Sequence, residues 1–278
     1  MIVVIGSTGQ LGTELVKACE RFGIGCVGLS HDEIDVTSIH VSRFREIHDK
    51  HPSESIAVIN TAAYHDLNKC EEHPETAYKV NAVGSENVAN ACVEYGWKYV
   101  YVSTDYCSGT PTDDNGLPRS VYAKTKLIGE LAALTLCPDA LVVRVGTMYG
   151  AAGCRAKGGG NFIDTVVAKI KAQQPFSLPN YTSVLTTYAK HAAHRILDNL
   201  EKCGVWYATD EYQPASHYDI GRRVLAQLGL TDMIQAISCD PNDHLRPSHT
   251  SVLKDRQLHL KQQTDTPIRQ YLREKGYL

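Results

Sequence analysis

The sequence predicts an α/β protein with a Rossmann-like, doubly wound parallel sheet and a smaller mixed α/β region after it. Three observations carry that prediction. Short strand-like runs alternate with amphipathic helical stretches through the first half. A glycine-spaced turn separates the first strand from the first helix. Near residue 150 the alternation stops, and a Gly-rich stretch over 153–160 opens a part with a different pattern.

The elements follow in order. Runs at 2–5, 25–29, 57–60, 99–102 and 141–145 are short, rich in Val, Ile or Tyr, and bounded by turn residues, as buried parallel strands are. Between them, 10–22, 38–50, 75–95 and 121–135 read as helices. In the third, Ala77, Val80, Val83, Val88, Ala91 and Cys92 recur near helical spacing. Beyond the Gly-rich stretch, helices are expected at 162–171, 188–201 and 216–228, with one strand at 205–208. Residues 1–150 are thus expected to form a dinucleotide-binding domain. Residues 151–278 are expected to form a substrate region interleaved with the sheet.

A chain of 278 residues has ample length for a core, and 43% apolar with 21% charged residues is the composition of a soluble globular protein. With 28 basic against 31 acidic side chains, it lacks the basic footprint of a nucleic-acid binder or a polybasic membrane patch. No apolar run approaches a membrane span, and the N-terminal run before Gly6 is too short for a signal peptide. None of the nine cysteines forms a C-x-x-C pair, so reduced, packed thiols in a cytoplasmic protein are expected. Cys107 and Cys154 fall beside the expected pocket and read as lining. His191 and His194 lie three apart without a Cys or carboxylate at a telling spacing, so no metal is expected.

Gly6-Ser7-Thr8-Gly9-Gln10-Leu11-Gly12 has G-x-x-G-x-x-G spacing. Such glycines permit a tight turn and close backbone approach to a pyrophosphate, which the free N–H groups of the following helix then bind. About 20 residues on, at the second strand's end, stands Leu29-Ser30-His31-Asp32-Glu33, with no acid at the strand tip. Ser30 and His31 offer weak partners to a 2′-phosphate, and Asp32 offers an acceptor to a free 2′-hydroxyl. NADH and NADPH both stay open.

The catalytic candidates are Thr104, Tyr122 and Lys126. Thr104 sits in Ser103-Thr104-Asp105-Tyr106, at the strand end where open α/β sheets bind ligands. Tyr122 and Lys126 are four apart and share a helix face. An ammonium beside a phenol lowers its pKa, which is expected to make Tyr122 a proton donor to a carbonyl undergoing reduction. The Thr104 hydroxyl would orient that carbonyl.

With these residues the chain resembles the extended short-chain dehydrogenase/reductase superfamily. Within it, the chain is most similar to the dTDP-4-dehydrorhamnose reductases and the related methionine adenosyltransferase regulatory subunit. The matching segments include Thr8 to Gly12, Asn60 to Tyr64, Val80-Asn81, Ser103 to Tyr106, Val121 to Leu127, Arg144, Tyr149-Gly150, Asn161-Phe162, Thr187 to Ala189 and Arg246-Pro247. The resemblance implies that Thr104, Tyr122 and Lys126 are catalytic. It also implies that Ala62, Ala63, Tyr64 and Asn81 bind the cofactor in its groove, that Asp35 and Val36 meet the adenine, and that Lys126 holds the nicotinamide ribose. Asp105-Tyr106 in place of Asp-Glu argues for ketoreduction over dehydration. For the substrate, expected to be a nucleotide-linked 4-keto-6-deoxysugar, the candidates are Thr104, Asp105, Tyr106, Asn161 and Arg246, with Asn180 and Tyr181 as further contacts. Arg246 would grip a diphosphate.

The substrate half departs from the resemblance. Cys107-Ser108 replaces an aliphatic–aromatic pair, and Gly146-Thr147-Met148 replaces Ser-Trp. Val184-Leu185-Thr186-Thr187 replaces Gly-Ser-Pro-Thr, and 153–160 looks inserted. The alternatives are therefore a regulatory subunit that binds NAD(P) and a partner enzyme, or an epimerase-type relative. A homodimer is the default assembly for such a chain.

Overall fold

The computed structural model describes the chain except residues 39–41, 110–111, 154–157, 174, 212, 231–233, 238–244, 249, 251–255 and 259–265. Its centre is a six-stranded parallel sheet. In chain order the strands are β1 (Ile2–Ile5), β2 (Cys26–Leu29), β3 (Ala57–Asn60), β4 (Lys98–Thr104), β5 (Leu141–Val145) and, far later, β9 (Gly204–Tyr207). Their spatial order is β2-β1-β3-β4-β5-β9. The reversal on either side of β1 makes the sheet doubly wound and opens a crevice at the strands' C-terminal ends.

Strand periodicity divides the core. Val3 and Ile5 of β1 face one layer and Ile2 and Val4 the other. The first layer packs Phe44 and Ile47 of α2 (Ser42–Lys50), Val88 and Cys92 of α5 (Gly84–Tyr95) and Ala133 of α6 (Val121–Leu136). The second packs Leu11, Leu15 and Ala18 of α1 (Gln10–Phe22) with Ala192, Ala193 and Ile196 of α8 (Ala189–Leu197). Trp97, Tyr99 and Tyr101 extend the first layer, and none is more than 6% exposed.

A second core carries the other wall of the crevice. It joins α7 (Phe162–Lys171), α9 (His217–Gln227) and α10 (Pro267–Glu274) around Tyr149, Tyr188 and Tyr271. Two small parallel sheets flank it: β6 (Thr147–Tyr149) with β8 (Thr186–Tyr188), and β7 (Phe176–Pro179) with β10 (Ile234–Ile237). Tyr149 and Tyr188 stack at 5.4 Å, and Asp210 accepts the Tyr149 hydroxyl (2.9 Å) and the Tyr188 N–H (2.7 Å).

Several expectations need adjustment. The helix expected over 75–95 is two: α4 (Pro74–Tyr78) and α5, joined by a π-helical turn at Lys79–Val83. The wider turn leaves the Asn81 carbonyl to accept the Tyr101 hydroxyl at 2.8 Å. The helix expected from 188 starts at Ala189, because Tyr188 belongs to β8. The helix expected over 38–50 is α2 from Ser42, residues 39–41 lying outside the described residues. Also present are α3 (Leu67–Glu72), the four short strands of the flanking sheets, and α10, none of which the sequence patterns indicated. No helix among the described residues is long and apolar enough to cross a membrane.

Candidate active site

One cavity of about 1040 Å³ runs along the C-terminal ends of the strands, slightly above the usual range for a single small-molecule pocket. It gathers residues from both halves of the chain.

At one end lies the glycine turn. Gly6 takes φ +77°, and its N–H and that of Ser7 donate to Leu29 O at 2.8 and 3.1 Å, fixing the turn beside β2. A Cβ on Gly12 would fall 2.1 Å from Gly6 O, so only glycine lets α1 start this close to the turn. α1 begins after Gly9 with no side chain capping its first N–H groups. Bare N–H groups and the positive end of the helix dipole fit the pyrophosphate of a dinucleotide. Gly6, Thr8, Gly9, Gln10 and Leu11 line the cavity, whereas buried Gly12 works from behind as a spacer.

Ser30, His31, Asp35 and Val36 line the same end. Glu33 folds back against the strand tip without lining the cavity itself. Its Oε2 accepts the Ser30 N–H at 2.8 Å, and bonds to Ser30 hold its carboxyl below the usual range. Asp35 accepts the N–H and hydroxyl of Thr37 (2.9 and 2.8 Å), which also lowers its pKa. Asp32, the acid expected to meet the ribose, does not line the cavity.

Ala62, Ala63 and Tyr64 form the floor. Asn81 is fully buried and does not line the cavity. Its amide brackets Tyr64, accepting the N–H and donating to the carbonyl at 2.9 Å each, and donates to Thr125 Oγ1 at 3.0 Å. Asn81 is thus a positioning residue that ties the floor to α6.

Thr104, Tyr122 and Lys126 meet at the middle of the cavity. The Thr104 hydroxyl donates to Asp105 Oδ1 at 3.4 Å and accepts the Tyr106 N–H at 3.3 Å. Ser120 caps α6, accepting the Ala123 N–H at 3.2 Å, and so presents Tyr122 on the first turn. Lys126 is 1% exposed, donates to Val102 O at 2.6 Å and lies 4.1 Å from the centre of the Tyr101 ring. Burial lowers its pKa to about 8. The expected depression of the Tyr122 phenol is not found. Burial raises it, the neighbouring Thr104 hydroxyl only partly offsets this, and the Lys126 ammonium is directed to Val102 instead. Tyr122 is accordingly held protonated, the form a proton donor needs.

Asp105 is not brought into the cavity. It is wholly buried, accepts the Leu185 N–H at 3.0 Å, and burial pushes its pKa up to about 7. Tyr106 does line the cavity, its ring 6.0 Å from that of Tyr122 and nearly perpendicular to it. Below, Arg144 grips Glu130 through two bonds (2.9 and 2.7 Å), and Ser103 donates to the same carboxylate at 2.5 Å. This buried group locks α6 to β4 and β5.

Asn161 and Arg246 line the far end with Tyr181 and Met148, whereas Asn180 does not reach it. The Asn161 side chain is engaged in a capping box with Asp164 and bonds Tyr271 Oη at 2.8 Å, so it shapes the start of α7. Sequence reasoning missed His217. It lines the cavity, its Nδ1 lies 2.8 Å from Thr182 Oγ1, and its ring stands edge-on to Phe162 at 5.0 Å. The Ser216–Asp219 capping box was the available signal, because it marks residue 217 as the first of a helix.

Cys107 contacts Ser103 Oγ and Ala123 O at 3.6 Å each and does not line the cavity. Cys154 lies outside the described residues. His191 meets Gln270 at 2.9 Å, and no group of three or more metal-binding side chains stands together among the described residues.

Sheet order and site geometry together are those of an extended short-chain dehydrogenase/reductase. More narrowly, the chain belongs to the RmlD family: the family model described as "RmlD substrate binding domain" matches residues 1–274. The dTDP-4-dehydrorhamnose reductase of Mycolicibacterium smegmatis is 31% identical over 262 residues, covering 89% of this chain and 75% of that protein. The fold is shared with the dTDP-4-dehydrorhamnose reductase of Clostridium acetobutylicum, with TM-score 0.82, 23% identity and 99% of each chain covered. It is also shared with that of Bacillus anthracis in complex with NADP, with TM-score 0.80, 21% identity and 98% of each chain covered.

Proposed function

We propose that this protein reduces a keto group on a nucleotide-linked sugar, most closely a 4-keto-6-deoxysugar, with a reduced nicotinamide dinucleotide as co-substrate. The reading rests on one observation above the others: Thr104, Tyr122 and Lys126 line one cavity that is continuous with the glycine turn. Two hydroxyls lining one pocket can serve as donors to a carbonyl oxygen bound there.

A bound reduced nicotinamide supplies the hydride, which goes to the ketone carbon. Tyr122 gives its phenolic proton to the carbonyl oxygen, Thr104 orients that oxygen, and a secondary alcohol results. Lys126 supplies positive charge beneath the pair and stabilises the phenolate left after transfer. Gly6, Thr8 to Leu11 and the N-terminus of α1 hold the pyrophosphate. Arg246 and His217 face the sugar nucleotide, with Arg246 matched to a diphosphate. Residues 1–150 serve the dinucleotide and 151–278 the sugar, with β9 contributed by the second part to the sheet of the first.

The test is consumption of reduced nicotinamide against a panel of nucleotide-linked 4-keto sugars. Tyr122→Phe is expected to bind the dinucleotide as the native protein does while losing about 10²-fold or more in turnover. Unchanged turnover in that variant, or no turnover of any panel member by the native protein, overturns the reading.

A further inference from the structure

We propose that Glu71 is a positioning residue that couples the floor of the dinucleotide groove to the proton donor Tyr122, through the short helix α3. The inference rests on the reductase reading above. It goes beyond that reading by naming a residue outside the cavity that sets the rate.

The first N–H groups of a helix have no partner within it and must find one elsewhere. In α6, Ser120 Oγ accepts the Ala123 N–H at 3.2 Å. The first turn carries no acid of its own, and Lys124 in that turn is paired with Asp113 at 2.9 Å. The Val121 N–H, immediately before Tyr122, is accepted by Glu71 Oε1 at 2.7 Å, from 50 residues earlier in the chain. A carboxylate there makes a short, charge-assisted bond and meets the positive end of the helix dipole.

Helix α3 carries the other end of the link. Its first residue, Leu67, lines the cavity, as do Thr61 to His65 before it. Glu71 follows Leu67 by four residues, one turn along the same helix face. The helix is fixed to the floor at both ends of that turn. Asp66 caps it by accepting the Lys69 N–H at 3.1 Å, and buried Cys70 donates its thiol to Tyr64 O at 3.4 Å. Asn81 joins the same floor to Thr125, about one turn further along α6. Glu71 is therefore the link at the end of α6 that bears the phenol. A displacement of reacting groups by about 1 Å can cost about 10²-fold in rate. Glu71 is half-buried and does not line the cavity, so replacing it leaves the ligand-lining side chains in place.

The experiment compares the full-length native chain with Glu71→Ala and Glu71→Gln, using whichever of NADH and NADPH binds more tightly and a keto sugar that the native protein reduces. Glu71→Ala is expected to lower kcat at least about fivefold, with the sugar KM and the dinucleotide Kd within about twofold of native. Glu71→Gln keeps an acceptor at the same reach and is expected to hold kcat within about twofold. A second readout needs no sugar. Bound dinucleotide is expected to slow backbone amide exchange over residues 119–124 in the native protein and in Glu71→Gln, but not in Glu71→Ala. Unchanged kcat in Glu71→Ala, a loss that Glu71→Gln fails to restore, or equal protection in all three proteins overturns the assignment and leaves the reductase reading standing. If the native protein turns over no sugar of the panel, the reductase reading falls, and the exchange readout alone decides whether Glu71 joins the floor to Tyr122.

Discussion

The carboxylate of Asp105 accepts the backbone N–H of Leu185 at 3.0 Å across 80 residues of chain, pinning the end of β4 to the segment that enters β8. Leu185 in turn accepts the Thr147 N–H at 2.7 Å, so one buried acid sets where the wall bearing Met148 stands relative to Thr104. Asp105→Ala leaves the Leu185 N–H buried without a partner. It is expected to cost about 1–3 kcal/mol in a denaturant titration.

The same carboxyl makes stability depend on pH. Its pKa in the folded chain is about 7 against an ordinary 3.8, so the folded state holds the proton that the unfolded state has lost. Its stabilising contribution is full below pH 4 and is lost as pH rises through 7. The Tm of the native protein minus that of Asp105→Asn is therefore expected to fall between pH 4 and 7. A flat difference would show that Asp105 is ionised throughout.

Lys126 titrates in the opposite sense. Its pKa of about 8 lies below the ordinary 10.5, so between those values the unfolded chain binds the extra proton and stability rises with pH. The Tm of the native protein minus that of Lys126→Met is expected to climb from pH 8 to 10. Taking the difference removes the contributions of the buried tyrosines and cysteines.

Gly129 fixes the height of α6. A Cβ there would stand 2.3 Å from Asn81 O and 2.4 Å from the Tyr101 hydroxyl, and Gly129 O already accepts the Ser85 hydroxyl at 2.9 Å. Gly129→Ala is expected to lower stability by about 1–3 kcal/mol through overpacking. Because the same helix carries Tyr122 and Lys126, kcat is expected to drop more than dinucleotide affinity.

At the C-terminus, Tyr271 donates to Asp164 at 2.5 Å and receives Asn161 Nδ2 at 2.8 Å, tying α10 to the cap of α7. Tyr271→Phe removes both bonds. We expect a loss of about 1 kcal/mol and a raised KM for the sugar substrate, with the Kd for the dinucleotide unchanged.

The five strands of the first half were legible because each is a short apolar run whose burial is dictated locally. Strands β6 and β8 were not. Three residues carry no period, and what makes them strands is pairing across about forty residues, with Thr147 opposite Thr186. The break at Lys79–Val83 was hidden for a similar reason, since the group that takes up its Asn81 carbonyl is the hydroxyl of Tyr101 on a distant strand. In the site, the glycine turn and the Thr104, Tyr122 and Lys126 group were readable from spacing. Asn81 and Asp105 were read as ligand contacts, yet both stand behind the cavity, bracing Tyr64 and Leu185. Residue identity marks a polar group near a site, but which way it faces depends on the backbone it meets. Glu33 shows the converse: three positions past the strand tip in sequence, it is bonded to that tip in space.

Strand β9 completes the sheet only when residues 204–207 pair with β5, and α8 covers α1 from the same late stretch. On a ribosome, the first 150 residues therefore emerge with β5 as a bare edge and with the face that α1 shares with α8 only partly covered. Hydrogen-bonding groups and apolar surface remain open to other chains until some 60 further residues have been made. Dinucleotide-binding competence is thus expected late in synthesis, and a chain stopped at residue 150 is a candidate for chaperone capture rather than a working half.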